Sequence, residues 1–310
     1  MFKIGIDLGG TNIAAGIVDK NGKIIEKLST PTLAARDVSE IIADMARLCE
    51  RVTRKAGYTM DDIESVGIGI PGTVDNESGN VIYTCNVPME NTPLRQLLGE
   101  YINKPITLEN DANAAALGEY IVSGNGAKSF VFITLGTGVG GGVILDGKIY
   151  RGFNGAGGEL GHMTLVSNGY PCGCGKRGCW ESYASVRALV RQTKEAMEKN
   201  PESLMHKIAA DYGKVSGRTA FEAAKAGDEA AKTVVRNYLE FVADGITSIV
   251  NIFQPEKVLI GGGISREGDY LLKPVREFVY KYDYNRYMPK TEIEISTLFN
   301  DAGIIGAALA

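Results

Sequence analysis

No run of about eighteen apolar residues occurs in the 310-residue chain, so no transmembrane helix is expected. An excess of either charge is also missing. Thirty-three basic against thirty-seven acidic side chains leave a net charge of −4, which gives no electrostatic footprint for nucleic acid or for an anionic membrane. The N-terminus lacks a signal-like apolar core, because Lys3 and Asp7 interrupt it. Histidine is scarce, with two residues, and tryptophan scarcer, with one. The pattern G-x-x-x-x-G-K-[ST] is absent, which excludes a P-loop. G-x-G-x-x-G does occur, at Gly67 to Gly72 and at Gly136 to Gly141. In a dinucleotide fold that fingerprint opens a helix, whereas here the first copy runs into the turn Thr73-Val74-Asp75-Asn76-Glu77 and the second into another strand. An oxidoreductase is rejected on that ground.

What is present is ordinary in bulk and unusual in placement. Hydrophobic content of 44% and charged content of 23% are those of a globular protein, long enough for one large or two medium domains. The 39 glycines cluster beside strands. Three of the five cysteines, Cys172, Cys174 and Cys179, fall within eight positions, and His162 lies ten residues upstream. Three thiolates and one imidazole close a tetrahedral zinc site with no position left for water, which makes it structural rather than catalytic. The other reading is three reduced thiols in a glycine-rich loop; a disulfide suits the spacing less well. Thiols at metal spacing without a secretion signal point to the cytoplasm. Glu159 and Glu181 flank the block, and a metal that fixes His162 would fix both as a polar wall for a ligand made of hydroxyls.

Along the chain, a strand at Ile4 to Asp7, a loop Leu8-Gly9-Gly10-Thr11-Asn12 and a strand from Ile13 open the fold, with Asn21-Gly22 as a type I′ hairpin signal. Asp37 with Glu40 reads as a capping box for a helix through Val52, whose Cys49 is core. Strands follow at Ser65 to Ile70 and Ile106 to Leu108, then a helix from Ala112 to Val122. The opening pattern then recurs: strand Phe130 to Leu135, loop Gly136-Thr137-Gly138-Val139-Gly140-Gly141, strand Gly142 to Leu145, tight turn at Asp146-Gly147. Two such copies imply a duplicated domain with a cleft between the copies. Helices at Val186 to Glu198 and Val234 to Phe253, a strand at Lys257 to Ile260, a third glycine loop Gly261-Gly262-Gly263, a strand at Glu292 to Ser296 and a small-residue helix from Ala302 complete the reading.

Asp7 with Gly9, Gly10 and Thr11, and Gly136-Thr137-Gly138, look like paired phosphate loops, where backbone N–H groups bind anions and absent side chains let phosphate approach. An aspartate at a strand end can hold Mg²⁺ through water. Asp111, after Glu109 and Asn110 at the end of a strand, is placed to accept a proton from an alcohol; capping the helix that follows is its simpler role.

Together, Asp7-Leu8-Gly9-Gly10-Thr11, Glu109-Asn110-Asp111-Ala112-Asn113, Leu135 to Gly140, Glu159-Leu160-Gly161-His162 and the cysteine block resemble the ROK family of sugar kinases and repressors over essentially the whole chain. The look is most that of its bacterial ATP-dependent glucokinases. The resemblance implies a duplicated α/β, actin-like (ribonuclease H-like) fold of two domains closing on sugar and ATP. We set these at residues 1–111 plus the closing helix 300–310, and at 112–299 with the zinc loop. It implies Asp111 as catalytic base and Asn110, Asp111, Glu159, His162 and Glu181 as sugar ligands. Asp7, Gly9, Gly10, Thr11, Thr137, Gly138, Gly262 and Gly263 fall to the nucleotide and its Mg²⁺, and His162, Cys172, Cys174 and Cys179 to zinc. Asn86-Val87-Pro88-Met89-Glu90 stands where family members vary among substrates. Repressors of the family carry a winged helix before the first glycine loop, and this chain begins three residues before that strand, so no DNA-binding module is expected.

The expected reaction is phosphoryl transfer from MgATP to the 6-hydroxyl of a hexose, glucose first, in a cytoplasmic homo-oligomer. An N-acetylmannosamine or N-acetylglucosamine kinase uses the same motifs, and a non-catalytic sugar sensor would keep the sugar ligands while needing neither Asp111 nor both phosphate loops.

Overall fold

Short apolar alternation with glycine at the turns lays down the first sheet of the computed structural model, which describes residues 1–84 and 86–310. Cys85, given no chemistry by the sequence, lies outside the described residues. Strands β1 (Phe2–Leu8), β2 (Asn12–Val18) and β3 (Ile24–Pro31) form an antiparallel meander. Helix α1 (Val38–Lys55) follows, its N-cap Asp37 accepting the Ser39 amide at 2.8 Å. It buries Ile41, Ile42, Met45, Leu48, Cys49 and Val52, one face at helical spacing, in a cluster with Ile4, Ile6, Val66 and Ile68 of the sheet. Strand β4 (Ile63–Ile70) pairs parallel with β1. A small three-stranded sheet of β5 (Thr73–Asp75), β6 (Asn80–Tyr83) and β7 (Glu90–Thr92) precedes helix α2 (Leu94–Gly99). Strand β8 (Ile106–Asn110), parallel to β4, runs directly into helix α3 (Asp111–Ser123). The sheet order is β3-β2-β1-β4-β8.

Strands β9 (Ser129–Leu135), β10 (Val139–Leu145) and β11 (Lys148–Ile149) begin a second sheet. After them come helices α4 (Glu181–Ala184), α5 (Val186–Lys199), α6 (Leu204–Asp211), α7 (Gly217–Lys225) and α8 (Glu229–Phe253). Strand β12 (Lys257–Gly261), helix α9 (Asp269–Tyr282), strand β13 (Glu292–Ile295), parallel to β12, and helix α10 (Asp301–Leu309) end the chain. The second order, β11-β10-β9-β12-β13, repeats the first strand for strand. The duplication expected from the two Gly-Thr loops is therefore a duplication of topology.

Two local features differ from expectation. At Asn21-Gly22 only the glycine has positive φ, +80°, and Asp19 Oδ1 accepts the Asn21 and Lys23 amides, so the turn is not type I′. At Asp146-Gly147 both residues do, at 51° and 74°, as that turn requires. Helix α9 was not foreseen; Pro274 lies in its interior, and Leu271, Val275 and Val279 bury one face of it all the same.

The residues divide into two compact units, the first of 1–132, 142–158 and 297–310, the second of 133–141 and 159–296. Helix α3 and the segment 142–158 thus group with the first unit rather than with the expected domain 112–299. The reason for α3 is close packing on α10. A Cβ at Gly306 would overlap the carbonyl of Ala114, and one at Gly118 that of Ala302, so the two backbones touch where side chains would hold them apart. Among the described residues, no helix is long and apolar enough to cross a membrane.

Candidate functional site

In the first unit, the parallel strands β1, β4 and β8 end together, and sheet register places Asp7 beside Gly69 and Gly69 beside Glu109. Carboxyl ends of parallel strands are where open α/β sheets bind ligands. Asp7 is mostly buried at the end of β1, and desolvation raises its pKa from 3.8 to about 6. A carboxylate left in that state is a fitting place for a bound cation. The turn after it is held by the Gly9 amide on the Asn12 carbonyl at 3.0 Å, and by Thr32, whose hydroxyl donates to the Gly9 carbonyl. Thr11 is exposed, and Asn86 packs against Gly10.

The cap of α3 is Asn110, not Asp111. Asn110 Oδ1 accepts the amides of Ala112 and Asn113 at 2.9 and 3.1 Å, and its Nδ2 donates to the Gly72 carbonyl at 3.0 Å. Asp111 is the first helical residue, its Oδ1 accepting the Ala112 amide at 2.8 Å. The simpler role weighed for Asp111 belongs to its neighbour, and the Asp111 carboxyl is half-buried at the first turn of the helix.

Glu109 is a residue whose role the sequence did not disclose. Only 2% exposed, it accepts from the Asn110 amide at 3.0 Å, from Asn113 Nδ2 at 3.2 Å, and from Arg151 through Nε at 2.8 Å and through Nη2. It ties the end of β8 to the first turn of α3 and to the segment 150–158. The one available signal was a glutamate directly after Leu108 near the end of a strand, which needs a cationic partner if it is buried.

In the second unit, His162, Cys172, Cys174 and Cys179 converge, their ligand atoms all within 4.8 Å of one another. His162 Nδ1 lies 3.6 Å from Cys172 Sγ, and Cys174 Sγ lies 3.7 Å from Cys179 Sγ. With Zn–S bonds of about 2.3 Å, two thiolates on one tetrahedral zinc stand about 3.8 Å apart, so the set fits that ion. Burial pushes the Cys179 thiol up to about 12, whereas the Lys176 amide's hydrogen bond draws Cys174 below the usual thiol range. A dication at the centre supplies the charge that lets all three ionise. Nδ1 is the ring nitrogen on the metal side, which leaves Nε2 for another partner. Trp180, fully buried, pins the block to α8: its Nε1 donates to the Phe241 carbonyl at 2.8 Å, and Gly245 makes room for the indole.

Glu159 is exposed at the start of the short 3₁₀ turn Leu160–His162. A Cβ on Gly161 in that turn would overlap the Val139 carbonyl. Glu181 opens α4, and its Oε2 accepts the Val139 amide at 3.0 Å. The structure therefore brings Glu181 against Gly138 and Val139, and Gly161, between Glu159 and His162 of the short turn, against the Val139 carbonyl. Gly138 was expected to leave room for phosphate, but its backbone φ is not positive, and the space a Cβ would take is held by Glu181 Oε2. Val186 donates its amide to the Gly136 carbonyl at 2.8 Å, and Arg187 Nε donates to the Thr137 carbonyl at 3.0 Å, so the start of α5 clamps the same loop. Gly262 has φ of +84° and packs on the backbone of Leu135, immediately before that loop; Gly263 is open and exposed.

A sequence model described as the ROK family matches residues 3–310. A glucokinase of Thermotoga maritima is 40% identical over 309 residues, covering 98% of this chain and 95% of that one. A xylose repressor of Caldicellulosiruptor bescii is 32% identical, covering 98% of this chain but 76% of its own length. Among solved structures, a ROK family glucokinase from Streptomyces griseus in complex with glucose and AMPPNP superposes with a TM-score of 0.83 at 35% identity, covering 99% of this chain and 98% of that one.

Proposed function

This chain belongs to the ROK family, and from that premise we propose that it is an ATP-dependent glucokinase, transferring the γ-phosphoryl group of MgATP to the 6-hydroxyl of glucose to give glucose 6-phosphate and ADP. The similar Streptomyces griseus enzyme was solved with glucose and an ATP analogue, and the likeness extends over nearly the full length of both chains. The observation that supports the chemistry is the start of α3, where Asn110 is the cap and the Asp111 carboxyl, at the first helical position directly after the end of β8, is the group read as general base.

An alkyl hydroxyl attacks phosphorus only as its proton leaves. Asp111 accepts that proton, a role typically worth ~10²–10⁴-fold in rate. Glu109 and Asn113 hold the base's segment still, and Asn110 retains an N–H for a sugar hydroxyl. Glu159, Glu181 and Nε2 of His162 take the remaining hydroxyls, and a site built to hydrogen-bond hydroxyls discriminates against sugars that lack them. The backbone turns at Gly9 to Thr11 and Gly136 to Gly138, with Gly262 and Gly263, hold the nucleotide. Asp7 is the residue for Mg²⁺, which when bound neutralises charge on the phosphate oxygens. His162, Cys172, Cys174 and Cys179 would hold a structural zinc, which would set the imidazole's tautomer and ring direction.

Asp111→Asn preserves shape and removes the proton acceptor. It should lower kcat by at least ~10²-fold with glucose binding largely intact, read by coupled ADP release and by calorimetry. Near-normal turnover in that variant would reject the mechanism. The same assay over hexoses and N-acetylhexosamines tests the choice of sugar.

A further inference from the structure

Val139 is one residue with two duties in the second unit. Its carbonyl lies against Gly161, in the turn that carries Glu159 and His162. Its amide is hydrogen-bonded by Glu181 Oε2 at 3.0 Å, and it directly follows Thr137 and Gly138 in the loop read as a phosphate cradle. The other oxygen of that carboxylate, Oε1, has Cys172 Sγ 3.8 Å away and no closer protein donor among the described hydrogen bonds. Glu181 fits there because residue 138 has no side chain: a Cβ would overlap Oε2, while the backbone conformation itself demands no glycine.

We propose that Glu181 is a bridge coupling the two substrates, with Oε2 fixing the phosphate loop through the Val139 amide and Oε1 taking a sugar hydroxyl. A hydrogen bond to a carboxylate is among the stronger ones and restricts its rotamers. Sugar bound to Oε1 then immobilises a side chain that already holds the loop, so the nucleotide meets a loop whose ordering cost is partly met. Linkage makes the effect reciprocal: bound nucleotide fixes Glu181 and raises sugar affinity by the same factor. Gly138 is present to seat the carboxylate as well as to face phosphate. The inference rests on Glu181 as a sugar ligand and on Gly136 to Gly138 as a phosphate loop.

The test is calorimetric titration of the full-length, zinc-loaded chain with glucose, alone and with a saturating non-hydrolysable ATP analogue and Mg²⁺. The wild type should bind glucose ~5-fold or more tightly with the analogue present. Gly138→Ala displaces only the far end of a flexible side chain, so the fold should persist, shown by an unchanged Tm and zinc content. It should weaken glucose alone, leave the analogue alone little changed, and bring the coupling factor close to one. Glu181→Asp, one methylene too short to reach both partners, should lose coupling likewise. No coupling in the wild type, or wild-type coupling in both variants, overturns the bridge. Loss of analogue affinity in Gly138→Ala with glucose binding unchanged also overturns it, since Gly138 would then serve phosphate alone. Glu181→Ala with normal glucose affinity would instead refute the sugar-ligand reading beneath it, an outcome distinct from loss of glucose affinity with coupling intact.

Discussion

A carboxylate mostly buried at a strand end destabilises the fold whenever it is ionised, and Asp7 is such a group. Its folded-state pKa of about 6 stands above the 3.8 of an ordinary aspartate, raised by desolvation. The folded state therefore binds the proton more tightly than the unfolded chain. That contribution is fully present below about pH 4 and is lost as pH rises through about 6, beyond which the ionised group opposes folding. A shift of about two units corresponds to ~3 kcal/mol. Asp7→Asn should accordingly leave the nucleotide-free protein's stability unchanged near pH 4 and raise it by up to that amount at pH 8, while abolishing turnover with MgATP. Urea titrations of both proteins from pH 4 to 8 measure the difference, and a difference independent of pH would show that burial does not perturb Asp7. The same residue is where function departs from stability: a position that favours asparagine in the empty protein is held by aspartate. Asn110 and Asp111 show how fine the division can be. From sequence, Asp111 before an alanine-rich run is a good cap; which of two adjacent polar residues takes the amides is decided by φ and ψ of −62° and 144° at Asn110, which no pattern of residue types reveals.

At the scale of elements, the convergence of His162, Cys172, Cys174 and Cys179 was legible because a metal-ligand set imposes its own spacing, and a chain with two histidines and five cysteines offers few other ways to meet it. The repeated Gly-Thr loops showed the duplication for a similar reason: turns of that kind constrain residue type more tightly than strands do. Helix α9 carries Pro274 against the local rule, and packing of Leu271, Val275 and Val279 overrides it. The bond from Glu109 to Arg151 was hidden because the partners are 42 residues apart and Arg151 belongs to no motif that the sequence singled out. Gly138 was given a reason that leaves out its neighbour, since the side chain that fills its space comes from position 181. The loop's own prediction concerns Cys174. Cys174→Ser removes one zinc ligand, frees the His162 ring and loosens the peptide that carries Glu181. The glucose KM should rise at least ~10-fold while the ATP KM changes less, as Gly9 to Thr11 lie outside that loop. A variant that keeps full zinc content and an unchanged glucose KM would show that the thiols are simple loop residues.

On the scale of the whole molecule, the two units answer differently to loss of metal. The first has a core of its own, drawn from residues between Ile4 and Leu108 and built on α1 and the sheet. None of the four metal ligands is part of it. The second unit hangs several elements on the cysteine block: Trp180 bonded to the Phe241 carbonyl in α8, the Met163 carbonyl accepting the Trp180 amide at 2.9 Å, Tyr238 donating to the Ala184 carbonyl at 2.7 Å, and Glu181 on Val139. Chelation frees three thiols, one of them with a pKa of about 12, and so withdraws the charge that held them together. Hydrogen exchange should then accelerate at 159–181, at the middle of α8 and at 136–141, in that order of magnitude. Amides of β1, β4 and α1 should keep their protection, because local opening follows the contacts that are lost rather than spreading evenly. Uniform acceleration across β1 and α1 would mean that the metal supports the fold as a whole and not one unit of it. Unchanged exchange at 159–181 after removal of a full equivalent of zinc would mean that the loop stands without it, and Glu159, His162 and Glu181 would need another source of rigidity.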